Sequence, residues 1–266
     1  MEPALYKLCA NNKFNTNYTN IRNLIVRYGI QCQPEWCDYL EMNSLMYLCK
    51  YNSLDAVKLL IESFGYLCKP EQQDISGFNS LMHACTQNNF AMVKLLIDSF
   101  GHLCKPEQLS TYGTTVLIIA CGNNNFEIVE LLINTFGYSC KPEQINIYGN
   151  TALIRACYSD NFELVKLLVN TFGYSCKPDA VNIRDDTALS ISCHSKYTNI
   201  SVLLINSFKY IVKEDTKAKQ IITYFKLADI NDLLYAPDSP KPQKISLLLD
   251  ITIAIIALCI SLAIIK

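Results

Sequence analysis

No charge of either sign is in excess in this sequence: 23 Lys and Arg stand against 24 Asp and Glu, and charged residues fill only 18% of the 266 positions. A chain so balanced offers no general attraction to nucleic acid, which is therefore not expected as a partner. The first residues, MEPALYKLCANNK, lack the basic start and apolar run of a secretory leader, so most of the chain is expected to be made and kept in a reducing compartment. Gly and Pro number nine each, too few for a fibrous or low-complexity chain, and an apolar content of 50% predicts an ordered protein with a substantial core. Only three His occur, and there is no Cys-x-x-Cys, no glycine-rich phosphate loop and no recurring carboxylate pair. Metal binding, nucleotide binding and acid–base chemistry each need one of these, so no cofactor, metal, small-molecule substrate or catalytic residue is expected.

What the chain does have is a phrase that returns. FGYSCKPEQ at 136–144 recurs as FGYLCKPEQ at 64–72, FGHLCKPEQ at 100–108 and FGYSCKPDA at 172–180. Phe64, Phe100, Phe136, Phe172 and Phe208 fall 36 residues apart, as do Cys68, Cys104, Cys140 and Cys176, with Pro70, Pro106, Pro142 and Pro178 two places later. A fixed period of this size implies stacked units. Within TALIRACYSDNFELVKLLVNTF, from 151, Leu153, Ala156 and Cys157 mark one face of a short helix. Residues 158–161 interrupt the pattern, and Asn89, Asn125 and Asn161 are read as the left-handed residues of the turn. A second helix follows, burying Phe162, Val165, Leu168 and Val169, and Gly173 closes it. Each unit is therefore helix, tight turn, helix and a Pro-containing loop.

The segment GNTALIRACYSDNFELVKLLVNTFG, 149–173, resembles the ankyrin repeat, a pattern of Gly-x-Thr-Pro-Leu-His-x-Ala-Ala, a turn and a Val-x-Leu-Leu helix. Ala152 stands at the family's Pro and Ile154 at its His. The resemblance extends over residues 1–216 as six units and implies an all-α solenoid of helix-turn-helix units with short hairpin tips. The usual period is about 33 residues, and the CKPEQ segment before the tip at Asn146–Gly149 is expected to hold the extra length. End units should differ, having one neighbour each. The first has an enlarged loop, NNKFNTNYTN, and the sixth has Lys209 and Val212 in place of the Gly and Cys of the phrase. Residues 217–235 read as an amphipathic helical cap, and 236–245, with Pro237, Pro240 and Pro242, as a stiff linker.

Thirteen Cys are an odd number in a chain far larger than disulfide-dependent scaffolds. They form two ladders, Cys49, Cys85, Cys121, Cys157 and Cys193 on first helices and the Cys of the phrase, both read as packing thiols. Cys193 beside His194 is simple adjacency, since a Cys–His nucleophile needs an orienting group and an oxyanion pocket that nothing here supplies. Lys69, Lys105, Lys141 and Lys177 are followed two residues on by Glu71, Glu107, Glu143 and Asp179, which makes a solvated edge of alternating charge.

The copies disagree at the tips and at one first-helix position, occupied in turn by Tyr47, His83, Ile119, Arg155 and Ile191 and read as exposed. The resemblance implies that these positions line a concave groove for a partner protein. The candidate contacts are Tyr47, Phe78, His83, Tyr112, Ile119, Tyr148, Arg155 and Arg184, with drift at surface positions that nothing touches as the alternative.

Residues 247–265, LLLDITIAIIALCISLAII, are apolar or weakly polar except for Asp250. As a helix they would span about 28 Å, close to a bilayer's apolar thickness. A C-terminal hydrophobic helix over 246–266 is therefore expected, with Ile251, Ile255, Leu258 and Leu262 toward lipid. The alternative is a tail buried in the protein's own core or in a homo-oligomer. The expectation is a non-catalytic adaptor, tail-anchored in a membrane with its repeats facing the cytosol; a soluble assembly element is the second reading. The Asn-, Ile-, Lys- and Tyr-rich style resembles ankyrin families of large DNA viruses and AT-rich intracellular parasites, which implies a host-directed role.

Overall fold

The computed structural model describes residues 4–11, 18–212 and 215–224. Among these residues there are helices and turns but no strands. The helices come in pairs: α1 (Ala4–Ala10) with α2 (Tyr18–Tyr28), α3 (Ser44–Lys50) with α4 (Leu54–Phe64), and α5 (Ser80–Thr86) with α6 (Phe90–Phe100). Then follow α7 (Val116–Gly122) with α8 (Phe126–Phe136), α9 (Ala152–Ala156) with α10 (Phe162–Phe172), and α11 (Ala188–His194) with α12 (Thr198–Val212). A last helix, α13 (Thr216–Tyr224), packs against α11.

First helices of five to seven residues cannot persist alone in water. Each is started by a side chain: Asn43, Asn79, Thr115, Thr151 or Thr187, in extended backbone, accepts the N–H of the third residue on. Their flanks carry pairs of small residues, Ala84–Cys85, Ala120–Cys121 and Ala156–Cys157, all buried. These let α5, α7 and α9 approach closely, whereas the second helices meet through Leu, Ile and Phe and touch more sparsely.

The turn within each pair differs by one residue from the sequence reading. Asn52, Asn88 and Asn124 take the positive φ, at 57°, 56° and 57°. Asn89, Asn125 and Asn161 instead cap the second helices, their Oδ1 atoms accepting from Met92, Ile128 and Leu164 N–H. The two Asn sets are joined between units: the Nδ2 of Asn89, Asn125 and Asn161 donates to Oδ1 of Asn52, Asn88 and Asn124 at 2.6, 2.9 and 2.8 Å.

The recurring phrase is the splice between units. Phe136 ends α8 with its ring buried, and Gly137 follows at φ 51°, ψ −126°, a conformation open to glycine alone, while its N–H bonds Ile133 O. A 3-10 turn then runs to Cys140, whose Sγ donates to Leu132 O at 3.5 Å. Cys68, Cys104 and Cys176 do the same toward Leu60, Leu96 and Leu168. Lys141 turns left-handed at φ 50°, and Pro142 is buried. The Tyr of each phrase reaches the Phe of the next unit: Tyr66–Phe100, His102–Phe136, Tyr138–Phe172 and Tyr174–Phe208 have ring centroids 5.2–6.2 Å apart.

The tips are turns, not paired strands. Asp38, Asp74, Ser110, Asn146 and Asn182 each accept the backbone N–H groups two and four residues on. Adjacent tips share one backbone bond, Ile75 N to Leu40 O, Thr111 N to Ser76 O, Ile147 N to Tyr112 O and Ile183 N to Tyr148 O. Gly149, at φ 74°, lets tips touch: a Cβ there would lie 2.5 Å from Asn182 Cα.

At the far end Lys209 replaces the closing glycine, and the chain stays helical to Val212 with a kink at Phe208. Asp215 bonds the Thr187 hydroxyl and caps α13 through Ala218 N–H. The remainder of 217–235, the linker 236–245 and the tail 246–266 with Ile251, Ile255, Leu258 and Leu262 lie outside the described residues. Among the described residues no helix is long and apolar enough to cross a membrane.

Since nothing lies within 4 Å of a Cβ built on Gly137, the cost of substitution there is backbone strain alone. Gly137→Ala is expected to lower stability by about 1–3 kcal/mol. Tyr138→Ala removes an edge-on ring contact and is expected to cost about 1 kcal/mol. Guanidinium melts of both variants check this; a Gly137→Ala midpoint equal to wild type would remove the strain argument.

Candidate functional site

The inner side of the stack is built from the tips and the exposed flank of the first helices. Along it, the residue nine places after each tip acceptor shares that acceptor's unit: Asp38 with Tyr47, Asp74 with His83, Ser110 with Ile119, Asn146 with Arg155, Asn182 with Ile191. The chemistry of each pair decides whether the first-helix side chain is tied down or left free.

Two of the residues read as exposed contacts are tied down. Tyr47 is 7% exposed, and its hydroxyl donates to Asp38 Oδ2 at 2.8 Å. Tyr6 donates to the same oxygen at 3.0 Å, and its ring meets Trp36 and Tyr47. Burial, with the Asp38 hydrogen bond behind it, pushes the Tyr47 phenol well above its usual range, so Tyr47 is a neutral donor inside the first units. His83 is 8% exposed, its Nε2 lies 2.9 Å from Asp74 Oδ2, and its ring is 5.4 Å from that of Phe78. Burial alone would raise the Asp74 carboxyl. The His83 bond together with the Phe78 and Ser76 N–H groups outweighs it and holds Asp74 below the usual carboxylate range. Ile191, also read as exposed, is buried at 5%. For Tyr47 and His83 the reason is the tip aspartate that draws the side chain inward, whereas Ile191 is apolar and packs into the core.

The other candidates remain accessible. Ile119 is half-buried against the core. Tyr112 and Tyr148, on adjacent tips, stack with centroids 6.3 Å apart and planes 20° apart, each nearly half exposed. Arg155 crosses onto the unit before it, where its guanidinium lies over Gly122: a Cβ there would come within 2.5 Å of Nη2. Arg184 is exposed on the next tip.

Tyr148, Arg155 and Arg184 meet in a cleft of about 400 Å³ between the fifth and sixth units, completed by Asn150, Tyr158, Asn182 and Ile183. A second cleft, of about 310 Å³, adjoins it through the shared Tyr158 and Arg184 and reaches His194, Asp186 and Lys217. Tyr158 falls in the segment 158–161 that the sequence marks only as the interruption between the two helices. Its position holds Lys50, Thr86, Gly122, Tyr158 and His194 in successive units, so the same disagreement between copies marks it. The ring is oriented by Asn182, whose Nδ2 donates to the Tyr158 hydroxyl at 2.8 Å.

Among the described residues the thiols of both ladders are buried and protonated. Burial pushes Cys104, Cys140 and Cys176 up to about 12 and Cys193 up to about 11, and the Cys of the first-helix ladder are buried as well. Cys193 lies against Ser201 at 3.6 Å, whereas His194 is exposed. Lys69 and Lys105 sit 3.8 and 3.6 Å from Glu71 and Glu107, as a solvated edge of alternating charge requires.

Comparison with known proteins agrees with this geometry. A family model described as ankyrin repeats (3 copies) matches residues 6–108 and 100–182. The crystal structure of the ankyrin repeat domain of Bcl-3, a member of the IkappaB protein family, is similar at a TM-score of 0.59 and 18% identity, over 75% of this chain and 85% of that one. The ankyrin repeat protein EF0377 is similar at a TM-score of 0.61 and 20% identity, over 78% of this chain and 98% of that one. Likeness at these identities is one of fold alone. No curated protein matches the sequence.

The depressed Asp74 carboxyl stabilises the fold at pH values above the unfolded aspartate value, about 3.9, and that contribution is lost as pH falls through the lower folded value. Asn146 and Asn182 make the same two backbone bonds at equivalent positions, so Asp74→Asn should fold. Its melting temperature is expected to lie below wild type at pH 5 and to converge on it toward about pH 2. A gap that stays constant over that range would show that Asp74 carries no depressed pKa.

Proposed function

The chain belongs to the ankyrin-repeat family, and from that premise we propose that it is a non-catalytic adaptor that binds a partner protein in the groove formed by its tips and first helices. The observation that carries this reading is a row of aromatic and cationic side chains, the exposed Tyr112, Tyr148, Tyr158 and Arg184 with the half-buried Arg155, held on a frame whose turns and caps are bonded from unit to unit. Tyr and Arg supply most binding energy where they are found at interfaces, and a frame already ordered loses little freedom on binding. The phrase that splices units is nearly constant, whereas the row is drawn from positions that change along the chain, Ser76, Tyr112, Tyr148 and Arg184 at one and Lys50, Thr86, Gly122, Tyr158 and His194 at another.

The test is to purify the full chain with its bound proteins from cells that make it and to compare wild type with a Tyr112→Ala, Tyr148→Ala double variant and with Glu130→Ala on the exposed side of α8. Loss of an aromatic anchor is expected to weaken a groove ligand by about tenfold or more. The reading requires a bound protein lost from the double variant and kept by Glu130→Ala. If every bound protein survives the double variant, the groove is not the binding surface.

The apolar run 247–265 supports a second element of the proposal, a C-terminal anchor that keeps the groove at a membrane facing the cytosol and raises the effective concentration of partners there. In alkaline carbonate extraction the full chain is expected to stay with the membrane pellet, and the chain truncated after Lys244 is expected to be released. If both are released, the tail belongs in a protein interface and the adaptor is not anchored.

A further inference from the structure

We infer that the paired clefts between the fifth and sixth units take an acidic peptide segment of the partner, with carboxylates on Arg155 and Arg184 and an apolar side chain between them. This rests on the groove reading above and adds the chemistry of the ligand.

The first argument is charge. Neither Arg155 nor Arg184 has a carboxylate partner among the described residues, although both line the same cleft. Of the neighbouring acids, Asp186 is held by Lys217 at 2.7 Å, and Asp215 is occupied by the Thr187 hydroxyl and the Ala218 N–H. Asp185 is exposed at the tip, at φ 60°. The residues that line the two clefts carry three cations, Arg155, Arg184 and Lys217, against one anion, Asp186, in a chain whose total charge is near zero. Guanidinium groups match carboxylates in two-pronged geometry, and two of them lining one cleft favour a ligand carrying more than one carboxylate.

The second argument separates a peptide from a free anion. Asn150, in the wall of the same cleft, has a buried Oδ1 with no hydrogen-bond donor. That atom is closed to a ligand as the structure stands, so what separates a peptide from a free anion is the apolar wall of the cleft. The apolar surfaces of Tyr148, Tyr158 and Ile183 then give one ligand side chain a place to bury, with Tyr158 held in orientation by Asn182.

The third argument is why this half of the groove and not the other. In the second and third units an aspartate at the tip claims the first-helix side chain, Tyr47 or His83. In the fifth unit that tip residue is Asn146, which makes the same backbone bonds but carries no charge, so Arg155 stays free.

The experiment is selection from a displayed library of random peptides of about twelve residues on the immobilised full chain, with about tenfold losses as the threshold. Selection is repeated on Arg155→Gln with Arg184→Gln and on Asn146→Asp, which restores the tip carboxylate that other units use safely. The inference expects enriched peptides rich in Asp and Glu around one apolar residue. They should bind roughly tenfold or more weakly to both variants, weaken as salt is raised, and lose binding when their acids are replaced by Gln or Asn. Enriched peptides that are not acidic, and that depend on Tyr112 and Tyr148 but not on the arginines, would overturn the acidic class while leaving the groove in place. Peptides indifferent to all of these variants, or no enrichment at all, would overturn both.

Discussion

Each helix pair in this protein is apolar on both of its broad faces, so a unit is unstable until a neighbour covers it. Everything else in the fold follows from the need to bring neighbours together at one fixed spacing. Small residues on the first helices set how close they come, and the ring of each phrase Tyr or His against the following Phe fixes the distance on the other side. The Asn-to-Asn bonds and the single backbone bond between tips lock the register at the two remaining edges. Because each of these contacts joins a unit to the next, a unit can change one of them only if its neighbour changes too, and the phrase stays nearly constant along the chain.

That constraint divides the surface into two classes of residue. Residues that splice units together are repeated and are committed to structure, including every Cys of the phrase and the left-handed Lys that follows it. At the tips, Ser76, Tyr112 and Tyr148 splice units through their backbone oxygens, so the side chain at that position is free to differ, as it does again at Arg184. A binding surface is therefore written on the positions where the units disagree, and its rigidity is supplied by the positions where they agree.

The period made the architecture legible from sequence: Gly137, Pro142, Phe136 and the two Cys ladders stand where spacing alone puts them. Three things were less visible. Two adjacent Asn residues share the inner turn, and composition does not say which turns left-handed and which caps; the ladder between units decides it in favour of Asn88 and Asn124 for the turn. Tyr47 and His83 vary between copies as surface residues do, yet each is drawn inward by an aspartate nine residues earlier, a partnership that a period of 36 conceals because it is made within a unit. Tyr158 falls in the segment read as the turn between helices, although its position varies as much as any in the groove.

The tip acceptor connects these observations. Its structural duty is to receive two backbone N–H groups, and Asp, Ser and Asn all perform it. Since the duty is met by any of the three, the choice among them is free to serve a second purpose, which is to set the charge presented to the first helix of its own unit. Asp38 and Asp74 close the groove at one end by engaging Tyr47 and His83. Ser110 carries no charge, and the residue nine places on is the apolar Ile119, while Asn146 leaves Arg155 uncompensated. One repeated structural position thus grades the groove from self-satisfied to cationic along its length without altering a single backbone bond, and the open end is where Arg155, Arg184 and the fixed ring of Tyr158 converge.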